Sequence, residues 1–392
     1  MARITMRKVQ ETELSEVFTL YLASAAARGV EDKTLRTYEQ HFNAKLLSVS
    51  PHHHTEKPGY TSRRFYDRIK EKARFEEATM ILSVSRRTDI PAHYAEWFFR
   101  RLKEGYVCTR NPMNPKQISR IELSPDTVDG IVFWTKNPAP MLDRLPELEG
   151  YPYYFQVTMT SYGPDLEPGV PGKNDVVIPA FQRLSREIGP ERVIWRYDPV
   201  LLSPKYTTEY HVRWFEAMAR RLAGYTDRCV LSFLDDYRHL GKVSRELGFR
   251  APDRREMREL AEKFTETAQR YGLTLQTCAE AIDLSEFGIT HGRCIDGAHF
   301  ERITGQPFDR QKDPNQRSEC GCITAVDIGL YDTCSNGCRY CYANHSPSAL
   351  HRNLQEHDPD SPLLCGQIGP ENIVRDRAMV SCKIQQMSLF TE

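Results

Sequence analysis

Short apolar runs alternate with amphipathic stretches of helical period along the chain from about residue 80. The apolar runs predict buried strands, and the stretches between them predict helices with one apolar face. Strands that alternate with helices in this way pair in parallel through right-handed crossovers. The pattern therefore predicts an α/β fold, namely a full or partial TIM-like (β/α) barrel over residues 80–345. The predicted strands are MILSVS, GIVFWT, YYFQVTM, RVIWRYDP, RCVLSFL and LTLQTC.

A further predicted strand, residues 323–331 (ITAVDIGLY), leads directly into a loop with three cysteines. Barrel active sites are built from the loops at the carboxyl ends of the strands, so this loop is a candidate site. The segments on either side of the barrel lack its pattern. Residues 1–79 predict a small helical extension and a polar linker, and residues 346–392 predict an irregular tail.

The eleven cysteines are unevenly distributed along the chain. Only Cys108 and Cys229 lie in the first 270 residues, whereas seven fall between Cys278 and Cys341. In a reducing compartment, such clustering indicates metal binding rather than disulfides. The isolated Cys365 and the last cysteine, at position 382, are expected to be ordinary thiols.

The densest group of cysteines is a C-x3-C-x2-C triplet in the segment TCSNGCRYCYAN, with Tyr340 before its last member. Three thiolates on one loop can hold three corners of a [4Fe–4S] cluster and leave the fourth iron open for chemistry. Because His345 extends the pattern to C-x3-C-x2-C-x3-H, a structural Cys3His zinc site is the alternative. The triplet consists of Cys334, Cys338 and Cys341.

The triplet, with its aromatic residue, resembles the signature of the radical S-adenosylmethionine (radical SAM) enzymes. Residues 80–345 also resemble an uncharacterised bacterial family, domain of unknown function 1848, which is similar to the spore photoproduct lyase branch of that superfamily. In the superfamily the triplet normally stands near the start of the catalytic domain. The resemblance therefore implies a circularly permuted barrel, in which residues 323–331 occupy the position of the first strand. The matching stretches are SVSRRTDIP, FWTKNP, RYDPV, CIDG and the terminal cysteine run.

The resemblance implies reductive cleavage of S-adenosylmethionine to a 5′-deoxyadenosyl radical, with an electron donor such as flavodoxin or ferredoxin. Tyr340 would back the adenine of this cofactor. Lys136 is the candidate for its carboxylate, because the resembling lyase has a lysine at that strand end.

Charged residues at other predicted strand ends are further candidates for the same site. Arg196 and Asp198 are candidates for the cofactor carboxylate or the substrate, and Arg87 and Asp89 for the methionyl end. For each of these residues, an ion pair that closes the barrel rim is the structural alternative, since charges at the mouth of an apolar strand are costly unless they are used or paired.

Four cysteines upstream of the triplet form a second predicted constellation. Thiolates from three separate loops can close a zinc site or hold an auxiliary [4Fe–4S] cluster, of which the cluster is favoured. The structural alternative is that two or more of them are simply buried thiols. The four are Cys278, Cys294, Cys320 and Cys322.

Composition limits the classes of partner. Lys plus Arg and Asp plus Glu both number 53, so zero net charge gives no support for a nucleic-acid partner. A nucleotide or nucleic-acid lesion as substrate is implied by the lyase resemblance alone. The sequence has no run of about 18 apolar residues, so no membrane-spanning helix is predicted. The N-terminus lacks the apolar core of a signal peptide, so a cytoplasmic protein is expected.

A non-catalytic function is the competing hypothesis. Residues 10–45 resemble the N-terminal, DNA-clamping helical segment of tyrosine recombinases through the stretch FTLYLASAAARGVEDKTLRTYEQHF. The alternative to a radical SAM enzyme is therefore a binding protein held together by zinc or an iron–sulfur cluster, which contacts DNA through this extension.

Overall fold

The fold is built on one large parallel sheet. A computed structural model describes residues 80–235, 237–308, 310–377 and 382–383. Eight strands pair in the order β10-β1-β4-β5-β6-β7-β8-β9, and every pairing in this sheet is parallel. Its strands are β1 (Met80–Val84), β4 (Val128–Thr135), β5 (Tyr153–Thr158), β6 (Val193–Val200), β7 (Arg228–Phe233), β8 (Thr274–Thr277), β9 (Thr290–His291) and β10 (Val326–Asp327).

Helices connect these strands, as parallel pairing requires. The α-helices are α1 (Ile90–His93), α2 (Ala95–Glu104), α3 (Ile178–Ile188), α4 (Thr208–Leu222), α5 (Gly241–Leu247), α6 (Arg254–Arg270), α7 (Gly297–Thr304) and α8 (Pro347–Gln355). A π-helical turn precedes α3 at Lys173–Val177, and short 3-10 helices lie at Ala139–Leu148, Pro190–Arg192, Arg238–Leu240 and Ser285–Phe287. None of the described helices has both the length and the apolar character that a membrane crossing needs.

The predicted α/β class is confirmed, and each of the six apolar runs contains a strand of the sheet. Closure of the sheet into a barrel is not seen, because its two edges, β10 and β9, do not pair with each other in the described part of the chain. The predicted strand 323–331 is reduced to Val326–Asp327, since the chain turns away immediately afterwards. It nevertheless pairs in parallel with β1 at the edge of the sheet.

The sheet is covered on both faces. One face packs against the amphipathic helices, with Phe133, Phe155 and Trp195 in its core. The opposite face, called here the inner face, is covered by α7 and the segments around it. Gly130 on β4 permits this packing, because a Cβ there would lie 2.2 Å from the ring of Phe300 on α7.

A second, smaller sheet was not predicted. It consists of β2 (Tyr106–Asn111), β3 (Asn114–Glu122) and β11 (Ile373–Asp376) in the order β11-β3-β2. The tail after residue 345 therefore differs from the irregular segment expected, since it supplies both α8 and β11. The predicted helical extension and its recombinase-like stretch lie outside the described residues.

Candidate cysteine site at the carboxyl edge of the sheet

Polar side chains of the inner face collect where the parallel strands end. Side chains alternate between the two faces of a strand, so residues two apart share a face. On β6 this places Arg196 and Asp198 on the inner face beyond the apolar Ile194, and Gln156 lies beside them on β5. The carboxyl edge of the inner face is thus a polar strip, and the triplet loop follows the edge strand β10.

The triplet loop is closed by its own hydrogen bonds. The backbone N–H of Asp332 donates to the Ala343 carbonyl (3.0 Å), and the Asn344 side chain donates to the Cys334 carbonyl (2.8 Å). Gly337 has φ of +62°, a left-handed conformation that glycine adopts at little cost. These contacts hold the three cysteines in one compact loop.

The three thiols of the triplet are largely buried, and burial raises the pKa of each one. The pKa of Cys334 rises to about 12. Backbone N–H groups oppose this effect: those of Asn336 and Asp89 point at the Cys334 sulfur, and that of Ala343 donates to the Cys341 sulfur (3.3 Å). Amide donors of this kind stabilise a thiolate, which is the form that binds metal.

The loop after β5, residues 163–172, docks onto the triplet loop through main-chain contacts. The N–H of Gly169 donates to the Asn336 carbonyl, and the N–H of Arg339 donates to the Leu166 carbonyl, both at 2.9 Å. A Cβ at Gly169 would lie 2.3 Å from the Ser335 carbonyl oxygen, so this close approach requires glycine. The docking loop also delivers a carboxylate to the site.

That carboxylate is Glu167, which is buried and accepts hydrogen bonds from four side chains. Lys136 (2.8 Å) and the Tyr340 hydroxyl donate to Oε1, and Lys173 (2.6 Å) donates to Oε2. Thr160 completes the set at 2.7 Å. Burial alone would raise the pKa of Glu167, but the two lysines outweigh it and lower that pKa to about 2.

Asp89 links three parts of the site. One carboxylate oxygen caps α1 through the Ala92 N–H (3.0 Å). The other accepts from the backbone N–H of Lys136 (2.7 Å) and from the Asn336 side chain (2.9 Å). Both oxygens thus hold protein groups, and Asp89 positions Lys136 and the triplet loop. Its contact with a cofactor stays a prediction.

Asp327, which sequence reasoning missed, fixes the edge strand to β1. Its carboxylate accepts from the hydroxyls of Ser83 (2.6 Å) and Ser85, and from the backbone N–H of Arg86 (2.9 Å). Arg87, predicted near the cofactor, lies with its guanidinium 5.3 Å from the ring centre of Tyr331 and donates to a nearby carbonyl. It therefore braces the approach to the triplet loop.

Arg196 and Asp198 form the predicted strand-end pair, and Arg196 contacts the second group of cysteines as well. Its guanidinium donates to Asp198 (3.2 Å from Nε), to Gln156 (2.7 Å) and to the Cys294 sulfur (2.9 Å). Burial opposes the charge of Arg196, but Cys294 and Asp198 raise its pKa above the ordinary value. The Asp198 side chain remains 25% exposed, so it is open to a ligand.

The four upstream cysteines are brought together, as predicted. The sulfurs of Cys278 and Cys294 lie 2.8 Å apart as free thiols. Cys322 forms side-chain hydrogen bonds with both Cys294 and Cys320, so the four sulfurs make a continuous chain. The contact with Cys322 lowers the pKa of Cys320 to about 7.

Both groups of cysteines are candidate ligands for a metal ion or an iron–sulfur cluster. In the part of the chain that the structure describes, no group of three or more His, Cys, Asp or Glu side chains is arranged to hold one metal ion. A cluster does not need that convergence, because each thiolate binds a different iron. His345, the fourth ligand of the zinc alternative, is exposed and lies near Asp332. At the triplet loop, the Asn344 side-chain oxygen is buried without a protein partner.

Comparison with known families agrees with the matching stretches of the sequence. A family described as Domain of unknown function (DUF1848) matches residues 81–343, more than half of the chain. The chain belongs to this DUF1848 family. No curated protein matches it significantly, so the assignment brings no activity with it. The matched range of this DUF1848 protein contains the large sheet except its first residue, Met80, and both groups of cysteines.

Sequence reasoning missed Glu167 and Asp327 for different reasons. Glu167 lies in a Pro- and Gly-rich loop, and no spacing connects it with Lys136 or with the triplet. Asp327 lies within the predicted strand ITAVDIGLY, where it is the one charged residue among mainly apolar neighbours. That position is the sequence signal for a buried carboxylate. A buried charge needs partners, and Ser83, Ser85 and the Arg86 backbone supply them in the structure.

Proposed function

We propose that this protein is a radical SAM enzyme with a [4Fe–4S] cluster at Cys334, Cys338 and Cys341. When bound, the cluster supplies the electron that cleaves S-adenosylmethionine into methionine and a 5′-deoxyadenosyl radical. One observation carries the proposal: the three thiols lie in one preorganised loop at the carboxyl edge of a parallel sheet, with backbone N–H donors at Cys334 and Cys341.

The charges beside the loop suit the carboxylate of S-adenosylmethionine. Lys136 and Lys173 share the single negative charge of Glu167, so the group carries one excess positive charge. A bound carboxylate would balance that charge in a site where little water can do so. Tyr340 donates to Glu167 and lies next to Lys136, and we assign it to aligning this group rather than to the adenine.

Asp198 is the residue of the strip best placed for the cationic and hydroxyl groups of the cofactor. Its partner Arg196 holds it through two guanidinium nitrogens, and part of its side chain stays exposed. A carboxylate that is already paired with an arginine can accept further hydrogen bonds from an ammonium or from ribose hydroxyls. Its charge stays balanced by the arginine when the ligand displaces water. Arg196 then acts as a positioning residue.

The remaining parts of the proposal follow from the resemblance. The substrate is unknown; the lyase resemblance makes a nucleotide or a nucleic-acid lesion the class to test first, and flavodoxin or ferredoxin is the expected class of electron donor. A cytoplasmic setting belongs with them, because a reducing compartment keeps cysteines available as metal ligands.

Anaerobic purification tests the function directly. We expect a brown protein that absorbs at about 400 nm, as iron–sulfur clusters do, and that converts S-adenosylmethionine to 5′-deoxyadenosine with dithionite. Cys338→Ala should reduce this conversion to background. The matched control is Cys108→Ala, a buried thiol of the small sheet, which should retain both colour and activity.

A colourless protein with stoichiometric zinc would contradict the proposal. It would favour the alternative, a non-catalytic metal-stapled binding protein. Loss of activity in Cys108→Ala as well would show that the effect of Cys338→Ala is not specific to the triplet.

A further inference from the structure

The second group of cysteines is assembled from distant parts of the chain. Cys278 follows β8, Cys294 follows β9, and Cys320 and Cys322 precede β10. Their sulfurs nevertheless form one chain of contacts on the inner face. Ordinary buried thiols pack singly among apolar side chains, as Cys229 does in the core of β7. Four thiols joined in one chain of contacts therefore need another explanation.

Polar groups of the fold are directed at these sulfurs. The Arg196 guanidinium donates to the Cys294 sulfur (2.9 Å), and the backbone N–H of Ile295 donates to the Cys322 sulfur (3.4 Å). The hydroxyl of Tyr154 and the side chain of Gln156 both donate to the Cys294 carbonyl, which fixes the main chain there. Cationic and amide donors favour thiolates over thiols, and thiolates are the metal-binding form.

The position of the group favours a redox cluster over a structural zinc. Cys278 and Cys294 lie against the strip that contains Arg196 and Asp198, not at a remote corner of the fold. The Arg86 guanidinium interacts electrostatically with Cys294. The backbone carbonyl of Arg86 accepts a hydrogen bond from the hydroxyl of Tyr342, the neighbour of Cys341. The two groups of cysteines therefore flank one another across Arg86.

We propose that Cys278, Cys294, Cys320 and Cys322 ligate a second [4Fe–4S] cluster. Assembly would displace the thiol protons and open the direct sulfur–sulfur contacts, with one thiolate bound to each iron. Four protein ligands leave no open iron, so this cluster does not bind S-adenosylmethionine. The existence of this cluster depends on these four residues alone. Electron transfer from it to the cluster at the triplet would, in addition, rest on the proposed function.

The test counts iron and acid-labile sulfide in anaerobically reconstituted full-length protein. Two clusters predict about eight iron atoms per chain, and the triple variant Cys334→Ala/Cys338→Ala/Cys341→Ala should keep about four. It should also keep the electron paramagnetic resonance signal of one reduced cluster. Conversely, Cys278→Ser/Cys294→Ser/Cys320→Ser/Cys322→Ser should lose about half of the iron. Cys108→Ala is the control that should lose none.

The triple variant leaves the four cysteines of the second site in place. Its iron content therefore tests the proposal even if the serine variant misfolds. Triple-variant protein without iron, with zinc in place of iron, or with a Cys278–Cys294 disulfide found by mass spectrometry would overturn it. The proposed function fails separately: if the triple variant retains all the iron of the wild type, the triplet holds no cluster while the second site stands.

Discussion

At the residue scale, the site depends most on Glu167. One buried carboxylate joins the docking loop, the end of β4 and the triplet loop through Lys136 and Tyr340. Burial lowers the pKa of Lys136, but its contact with Glu167 outweighs burial and raises the pKa above the ordinary lysine value. Each of these charges is therefore tolerated only because the other is present.

Glu167→Gln tests this dependence, because glutamine keeps the size of the side chain and removes its charge. Lys136 and Lys173 would then be left without a counter-charge in a buried site. Breaking a buried ion pair from one side costs about 3–5 kcal/mol of stability, so we expect a loss of this size in urea unfolding.

The control is Glu147→Gln, which breaks an exposed pair with Arg144. Exposed pairs contribute roughly 0–1 kcal/mol, so this variant should unfold near the wild-type midpoint. Equal effects of the two substitutions would show that the Glu167 network carries no special weight.

At the element scale, the triplet loop is held by a neighbouring loop rather than by regular structure. Its edge strand has only two paired residues, Val326 and Asp327. The docking loop, residues 163–172, compensates with main-chain hydrogen bonds on both sides of Gly337. Backbone contact at this distance leaves no room for a side chain at Gly169.

Gly169→Ala should therefore separate the two loops. The added Cβ would lie 2.3 Å from the Ser335 carbonyl, and a main-chain atom cannot move aside as a flexible side chain can. We expect reduced iron retention at the triplet on anaerobic reconstitution, with a lower melting temperature. Gly172→Ala is the matched control, since its Cβ would meet only the Asp175 carboxylate at 3.4 Å. Full iron retention by Gly169→Ala would contradict the docking.

Regular elements could be predicted from the sequence, and irregular ones could not. The central strands are buried on both faces, so each left a continuous apolar run, as RVIWRYDP did for β6. In contrast, all four residues of β11 are exposed, and β3 begins with exposed polar residues, so neither carries a hydrophobic signal. The helix α7 is short and starts at a glycine, and its burial depends on the sheet that it covers.

In the candidate site, too, residues within local sequence motifs could be predicted, whereas residues that act through tertiary contacts could not. The cysteines and Lys136 stand in recognisable motifs, and the structure brings the predicted groups together. Glu167, Lys173 and Gly169 act through tertiary contacts across an irregular loop, and no local pattern specifies such contacts. The roles of Asp89 and Arg87 could not be assigned from sequence, because a strand-end charge serves a ligand or a neighbour equally well.

At the scale of the whole molecule, the sheet conceals one neutral histidine on each face. His211 lies under the helices, where its ring nitrogens bond to the Tyr197 hydroxyl and the Leu201 carbonyl, both at 2.8 Å. His299 lies on α7 against Tyr154 on the inner face. Burial lowers the pKa of His211 to about 4, and burial together with Arg228 lowers that of His299 to about 3.

These histidines predict a loss of stability in mild acid. Above about pH 6.5, both are neutral in the folded and unfolded states, and neither makes stability depend on pH. Between about pH 6.5 and 5, the unfolded chain takes up two protons that the folded protein refuses, so the unfolding free energy should fall by about 1.4 kcal/mol per pH unit for each histidine. Glu280 acts in the opposite direction over part of this range, because burial raises its pKa to about 7 and the folded protein takes up its proton first. The comparison with His299→Gln isolates one ring: in urea unfolding at the same metal content, the slope should be smaller in the variant than in the wild type by about 1.4 kcal/mol per pH unit. An unchanged slope in the variant would mean that the His299 ring accepts a proton in the folded state.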